Sequence, residues 1–245
     1  MVAALITEQA LERLRSGRRV LALTGAGISA ESGVPTFRDA QTGLWAKYRA
    51  EELATPEAFE KNPRLVWQWY GWRRQLVAKA EPNPGHHALV ALERRYRDFT
   101  LVTQNVDGLH ARAGSRNLVE LHGNIAQTLC FAERTPVESY ADDGGVPPRC
   151  PRCGAFLRPG VVWFGEALPA EALARARRAA QSCDLALSIG TSGLVEPAAS
   201  LPLLAKACGA YLIEINPTAT PLTPHADLVL AGPAGQILPQ LGGLL

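Results

Sequence analysis

Short aliphatic runs alternate along the chain with longer segments in which apolar and polar positions recur at helical spacing. The runs Arg19–Leu23, Phe99–Thr103, Leu118–Leu121, Leu185–Ile189, Ala210–Ile215 and Leu228–Leu230 read as strands. Several are apolar nearly end to end, the pattern of parallel strands covered on both faces and not of a sheet with one wet side. Between them, Pro84–Arg95, Pro169–Gln181 and Glu196–Cys208 read as helices. Strand–helix–strand repetition of this kind predicts an α/β fold built on a doubly wound parallel sheet. Two stretches break the alternation. Phe37 to Ala80 has no convincing strand and is rich in Trp, Tyr and Arg, and Cys130 to Leu157 is loop-like, with Gly144, Gly145, Pro147 and Pro148 between its cysteines. Both read as excursions that pack together as a smaller module.

Composition narrows the class. A chain of 245 residues, 47% hydrophobic and 20% charged, is an ordinary globular protein and not a disordered one. Its net charge of +2, from 25 basic and 23 acidic side chains, argues for neither a nucleic-acid nor a membrane-surface partner. No run approaches the ~20 apolar residues of a membrane helix. Near the start, Thr7 to Arg19 reads as a surface helix and not as a signal peptide, because its charges follow the short apolar stretch and no small-residue cleavage site comes after. Five cysteines, three of them clustered, favour a reducing cytoplasm and a metal site over a disulfide framework.

Candidate chemistry starts at Leu21–Ala30, a strand followed by G-x-G-x-x-A at Gly25, Gly27 and Ala30. Glycines there let the backbone turn sharply beside a pyrophosphate, which the following amides then hold. An ordinary dehydrogenase would continue into a helix and a second strand bearing an acidic ribose ligand ~20 residues on. Here Gly33 and Pro35 stop any helix at once and no such strand follows. The ribose contact must come from elsewhere, and the polar tip of the strand Tyr211–Asn216, with Glu214 and Asn216, would face the same crevice. Gln104, Asn105 and Asp107 stand at a strand's C-terminal end, where α/β folds place ligands, although Asn-x-Asp-Gly also suits an Asx-type cap. His122 follows another strand and precedes Gly123, which suits a side chain reaching a cleft.

Taken together, Gly25–Asp39 (GAGISAESGVPTFRD), Gln104–His110 (QNVDGLH), Leu121–Asn124 (LHGN), Val161–Glu166 (VVWFGE), Gly190–Ser192 (GTS) and Glu214–Thr218 (EINPT) resemble the sirtuins, the NAD-dependent protein-lysine deacylases. The resemblance implies a Rossmann-like large domain (residues 1–36, 81–126 and 158–245) and a small domain with a helical part (37–80) and a zinc-binding part (127–157). NAD and an acyl-lysine protein or peptide would meet in the cleft between them, with no nucleic acid or membrane involved. It implies that Gly25, Ala26, Ser29 and Arg38 cradle the pyrophosphate, that Phe37 shields the ribose, and that Gln104, Asn105 and Asp107 form the nicotinamide pocket. Thr191, Ser192 and Asn216 would hold the adenosine half. Gly27, Ala30, Thr36, Trp45, Val106, Gly190 and Ala234 complete the implied cofactor set. His122, with Asn105, would be catalytic: the imidazole acts as general base on a ribose hydroxyl after the acyl oxygen has displaced nicotinamide, giving free lysine and O-acyl-ADP-ribose. Val162, Phe164, Gly165 and Glu166 lie in the segment that would receive substrate by strand addition.

Tyr70 and Arg73, three residues apart, share a helix face. Within the sirtuin frame this Tyr-x-x-Arg pair, with Ala54, resembles the class III signature and implies succinyl and malonyl groups as substrates, with acetyl also removed. Arg suits that role because its planar fork can grip a carboxylate through two hydrogen bonds. Structural zinc in this family uses two Cys-x-x-Cys pairs. Cys150 and Cys153 form one, but the other reads Cys130-Phe-Ala-Glu133. Zinc held by three Cys and Glu133, zinc held weakly with water, and a degenerate site without metal all stay open. Cys183 and Cys208 read as core residues. Rival readings are an ADP-ribosyltransferase, which breaks the same bond, and a peptide- or nucleotide-binding module without turnover.

Overall fold

The computed structural model describes residues 6–35, 48–141 and 144–245. Thr36, Phe37, Arg38 and Trp45 lie outside the described residues. Its strands are β1 (Arg19–Thr24), β2 (Asp98–Thr103), β3 (Leu118–Glu120), β4 (Gly123–Cys130), β5 (Leu157–Val161), β6 (Leu185–Ile189), β7 (Tyr211–Asn216) and β8 (Leu228–Ala231). Six of them form one sheet in the order β3-β2-β1-β6-β7-β8, parallel throughout, while β4 and β5 pair antiparallel in a separate hairpin. The order runs outward in both directions from β1 and β6, so the topological switch point lies between their C-terminal ends, where such sheets bind ligands.

The helices are α1 (Glu8–Ser16), α2 (Ala50–Leu53), α3 (Pro56–Lys61), α4 (Pro63–Lys79), α5 (Pro84–Arg95), α6 (Leu109–Ala113), α7 (Ala170–Ser182), α8 (Leu201–Ala207) and α9 (Ala234–Gly242). Local chemistry sets several starts. Thr55, Asn62 and Asn83 each accept a backbone N–H from the first turn, and each is followed by a proline whose missing N–H costs nothing there. Each central strand then divides its side chains between two layers. Val20 and Ala22 join Leu14, Leu89 and Leu101 beneath α1, α5 and α9, whereas Leu21 and Leu23 join Ala176, Ala180 and Leu201 beneath α7 and α8. That division is the reason the strands read as continuous apolar runs.

A third core gathers Phe59, Val66, Trp69 and Tyr70 from α3 and α4 with Ile125, Val161 and Trp163 from the hairpin and its exit. Val66, Trp69 and Tyr70 fall at i, i+3 and i+4, one face of α4. The hairpin is absent from the expected strands. β4 buries only Ile125, Thr128 and Cys130, and β5 contains Pro159 and Gly160, residues that ordinarily argue against a strand. Two further expectations are corrected. The helix expected over Glu196–Cys208 divides into a 3₁₀ turn at Ala198–Ser200 and α8, whose first turn takes Pro202. Cys208 is exposed at the C-terminus of α8, beyond the apolar face, while Cys183 is buried as expected. No helix among the described residues is long and apolar enough to cross a membrane.

Candidate active site

β1 ends in a 3₁₀ helix, Ala26–Ser32, which Gly33 closes in the left-handed conformation at φ 76°. The loop rests on the loop after β6. Gly25 N–H donates to Ile189 C=O at 3.0 Å and Gly27 N–H to Gly190 C=O at 2.8 Å. A Cβ on Gly27 would stand 2.8 Å from Gly190 Cα, and one on Gly190, itself at φ 57°, would stand 2.6 Å from Ile28 N. The glycines therefore serve close packing of two loops as well as any approach to a ligand. Ala26 N–H has no acceptor among the described residues and lies at the opening of the 3₁₀ helix, a donor suited to a phosphate oxygen.

From there a buried polar network leads to the loop after β2. Asn105 Nδ2 donates to Gly25 C=O at 3.1 Å and to Ser29 Oγ at 3.2 Å, and Ser29 Oγ donates to Asp107 Oδ2 at 2.7 Å. The one Ser29 proton is thus held by Asp107, which ties the expected pyrophosphate loop to the expected nicotinamide pocket. Asp107 Oδ1 also accepts Leu109 N–H at 2.9 Å, an Asx turn leading into α6, so the local turn reading holds for this residue. Burial pushes the Asp107 carboxyl upward, against the hydrogen bonds from Leu109 and Ser29 and the charges of Arg112 and Arg73. Beneath the pocket, Thr24 Oγ1 bonds Thr103 Oγ1 at 2.8 Å and lies 2.9 Å from His110 Nε2. Buried His110, pushed down to about 3 by desolvation and by neighbouring His86, supports this loop as a neutral ring. The sequence reading passed over Thr24 and Thr103 as strand residues, although paired threonines at the ends of adjacent parallel strands are a usable signal.

Gln104 Nε2 donates to Thr191 Oγ1 at 3.0 Å, so the nicotinamide and adenosine halves of the expected site do meet. Asn216 ends β7 with Nδ2 donating to Thr218 C=O at 2.7 Å, and Ala234 opens α9, whose N-terminal Gly235 N–H donates to Glu31 at 2.7 Å. The Glu214 carboxylate is buried and accepts the hydroxyls of Thr220 and, at 2.6 Å, Thr223, so it is occupied in anchoring that turn.

His122 follows β3 and is half-buried. Its Nδ1 lies 2.9 Å from Gln104 C=O. A carbonyl can only accept, so Nδ1 carries the proton and Nε2 keeps a lone pair with no partner among the described residues. Burial lowers the imidazole's pKa, the hydrogen bond to Gln104 opposing it. The same residue anchors the next segment, since Val162 N–H donates to His122 C=O at 2.8 Å.

On α4, Tyr70 and Arg73 do share a face. Tyr70 is buried, and its hydroxyl accepts Trp163 Nε1–H at 3.0 Å. An indole N–H only donates, so the phenol keeps its own proton, for which the described residues offer no acceptor. Arg73 packs its guanidinium 5.2 Å over the Trp69 ring, and its pKa is lowered mainly by burial. Ala54 sits in the same core and accepts Phe164 N–H at 2.9 Å. Phe164 is 44% exposed and Gly165 N–H is unpartnered among the described residues. Glu166, expected beside substrate, turns its carboxylate inward to Arg158 and to Trp163 N–H.

The metal ligands converge. Cys130 Sγ, Cys150 Sγ, Cys153 Sγ and a Glu133 oxygen all lie within 4.8 Å of one another, with Cys130 and Cys153 sulfurs 3.4 Å apart. Tetrahedral zinc, ~2.3 Å from each sulfur, sets sulfurs roughly 3.8 Å apart, so the cluster fits one ion. Glu133 is held ionised by Arg152, whose Nε donates at 3.0 Å. A hard, shared carboxylate is the weakest of the four ligands for zinc. Chain purified without added metal is expected to carry about one zinc by elemental analysis. Cys150→Ser should lose it, and Glu133→Cys should slow its removal by a chelator; zinc-free wild type would overturn the assignment.

Comparison with known proteins agrees with this geometry. The Sir2 family model matches residues 25–197. A Thermus thermophilus protein described as an NAD-dependent protein deacylase is 57% identical over 230 residues, 91% of this chain and 89% of the relative. A solved Sir2 homologue in complex with NAD matches with a TM-score of 0.90 at 49% identity, over 97% of this chain and 93% of that one. A mutant Sir2 homologue bound to 2′-O-acetyl-ADP-ribose matches with a TM-score of 0.89 at 49% identity, over 97% and 96%. The chain belongs to the Sir2 family.

Proposed function

We propose that this chain is an NAD-dependent protein-lysine deacylase that transfers the acyl group to ADP-ribose. One arrangement carries the reading: His122, its Nδ1 proton fixed on Gln104, keeps a basic Nε2 next to the Gln104–Asp107 turn, which Asn105 joins to the glycine loop. The names and ligands of its relatives support the same activity. Ala26 N–H, Gln104, Asn105, Thr191, Ser192 and Asn216 are the residues that would hold NAD. Bound there, NAD supplies the ADP-ribosyl group to which the acyl group moves. His122 takes the proton of the attacking ribose hydroxyl, a task that suits an imidazole neutral near pH 7. The 3₁₀ loop and the Gln104–Asp107 turn enclose the reacting bond and keep water from competing. Peptide is received as an extended strand along Val162–Glu166, where Gly165 N–H is open for a main-chain bond.

For the acyl group, the reading is succinyl and malonyl ahead of acetyl. The support is the pair of donors on α4: a desolvated Arg73 guanidinium and a Tyr70 hydroxyl whose oxygen already accepts from Trp163. A terminal carboxylate can accept a hydrogen bond from each, and an acetyl methyl from neither. Mass spectrometry of one peptide bearing succinyl, malonyl or acetyl lysine, with and without NAD, tests both levels. Deacylated peptide and O-acyl-ADP-ribose are expected only with NAD, fastest for the acidic acyl groups. Deacylation without NAD would sink the activity, and a dominant acetyl rate would sink the acyl preference.

A further inference from the structure

We propose that Arg158 and Glu166 form a latch that sets the pairing register of the incoming acyl-peptide and, through Trp163, aims the Tyr70 hydroxyl; both are positioning residues, and the proposal rests on the deacylase reading above. The segment leaving β5 is pinned on one side by Val162 N–H to His122 C=O and by Phe164 N–H to Ala54 C=O, at 2.8 and 2.9 Å. Beyond Val162 the chain turns: Glu166 N–H donates to Trp163 C=O at 3.0 Å, with Gly165 at φ 84°, and this turn brings the Glu166 side chain back to Trp163 N–H. Glu166 accepts that N–H with Oε2 at 2.8 Å. The donor that a docking strand would otherwise take is thereby covered, and Gly165 N–H is left open. A pairing shift of one residue would turn the acyl-lysine to the wrong face of the strand.

The carboxylate that covers it is held with unusual completeness. Arg158 NH1 donates to Glu166 Oε1 at 2.5 Å and NH2 to Oε2 at 2.8 Å, and NH2 also donates to Val161 C=O at 2.8 Å. Arg134, from the turn after Cys130, adds a contact at 3.5 Å. The Arg158 and Glu166 side chains are only 2% and 7% exposed. Buried ion pairs contribute little net stability compared with apolar replacements, but they do specify geometry. What this one specifies is the Trp163 position: the guanidinium lies 3.5 Å over its ring, and the far edge of that ring donates to Tyr70. Strand register and acyl recognition are thus set by one buried pair, acting through Trp163.

Glu166→Gln keeps the shape and removes the charge, and Arg158→Lys keeps the charge but loses the fork; Trp163→Phe removes the indole donor together with part of the ring that packs under Arg158. Hydrogen exchange in the ligand-free protein is expected to speed up at residues 162–166 in the first two variants, with the central sheet unchanged. The peptide KM should rise about tenfold in both, while the Kd for NAD alone stays within twofold. Trp163→Phe should lower the succinyl-to-acetyl rate ratio. Unchanged exchange at 162–166 in both latch variants would overturn the latch, whatever wild type does with peptides. Parallel loss of NAD binding would mean a general structural role and also overturn it. Wild type inert toward acyl-peptides would overturn the deacylase reading instead, leaving the latch to be judged on exchange.

Discussion

Replacing His122 by Tyr is expected to cut kcat by roughly 10²–10⁴-fold, the range over which a positioned general base acts. NAD should still bind, because the open Ala26 N–H on the glycine loop and the Gln104–Thr191 bond do not involve the imidazole. The pH profile gives an independent check. A general base works in its deprotonated form, so activity must climb as pH rises through the folded-state pKa. Burial lowers that pKa below the ordinary 6.5, and the bond to Gln104 only partly opposes the shift. The acid limb of kcat/KM should therefore fall below pH 6.5 and vanish in the variant. A loss under tenfold, or an acid limb well above 6.5 in wild type, would remove His122 from the chemistry.

Arg73→Met should have the second largest effect, and a selective one. Truncating one partner of a desolvated, hydrogen-bonded charge pair costs about 2–5 kcal/mol. That corresponds to a drop in kcat/KM of roughly 30- to several thousand-fold toward succinyl-peptide. The acetyl-peptide should change less than about threefold, since its methyl end makes no bond to the guanidinium and Met fills similar space beside Trp69. Tyr70→Phe deletes one hydrogen bond to a charged group, worth about 1.5–3 kcal/mol, and should weaken the succinyl rate by a smaller factor. Steady-state kinetics on matched peptides measures both. Equal losses on the two substrates would show that α4 needs Arg73 for packing over Trp69 and not for a carboxylate.

Much of this protein was legible before any coordinates. The six strands of the sheet appear as aliphatic runs because parallel strands covered on both faces bury nearly every side chain, as in Leu185–Ile189. The helix starts at Thr55, Asn62 and Asn83 are written locally, in a capping side chain and a following proline. Gly25, Asn105, Asp107 and His122 stand out in the sequence as candidate loop residues at strand ends, and the structure joins their loops by hydrogen bonds.

Other features depend on partners distant in the chain, and no local pattern could carry them. Glu214 and Asn216 look equivalent in sequence, yet two threonine hydroxyls from the next turn claim the first. Glu166 looks like part of a substrate strand until Arg158 draws its carboxylate inward. The hairpin β4–β5 carries Pro159 and Gly160 and forms because its few buried side chains meet α3 and α4. The order of elements and the sheet were set by periodicity and local backbone chemistry, which act over a few residues. Which donor faces which acceptor was decided only by tertiary packing, because burial forces each polar group to find a partner wherever the fold brings one.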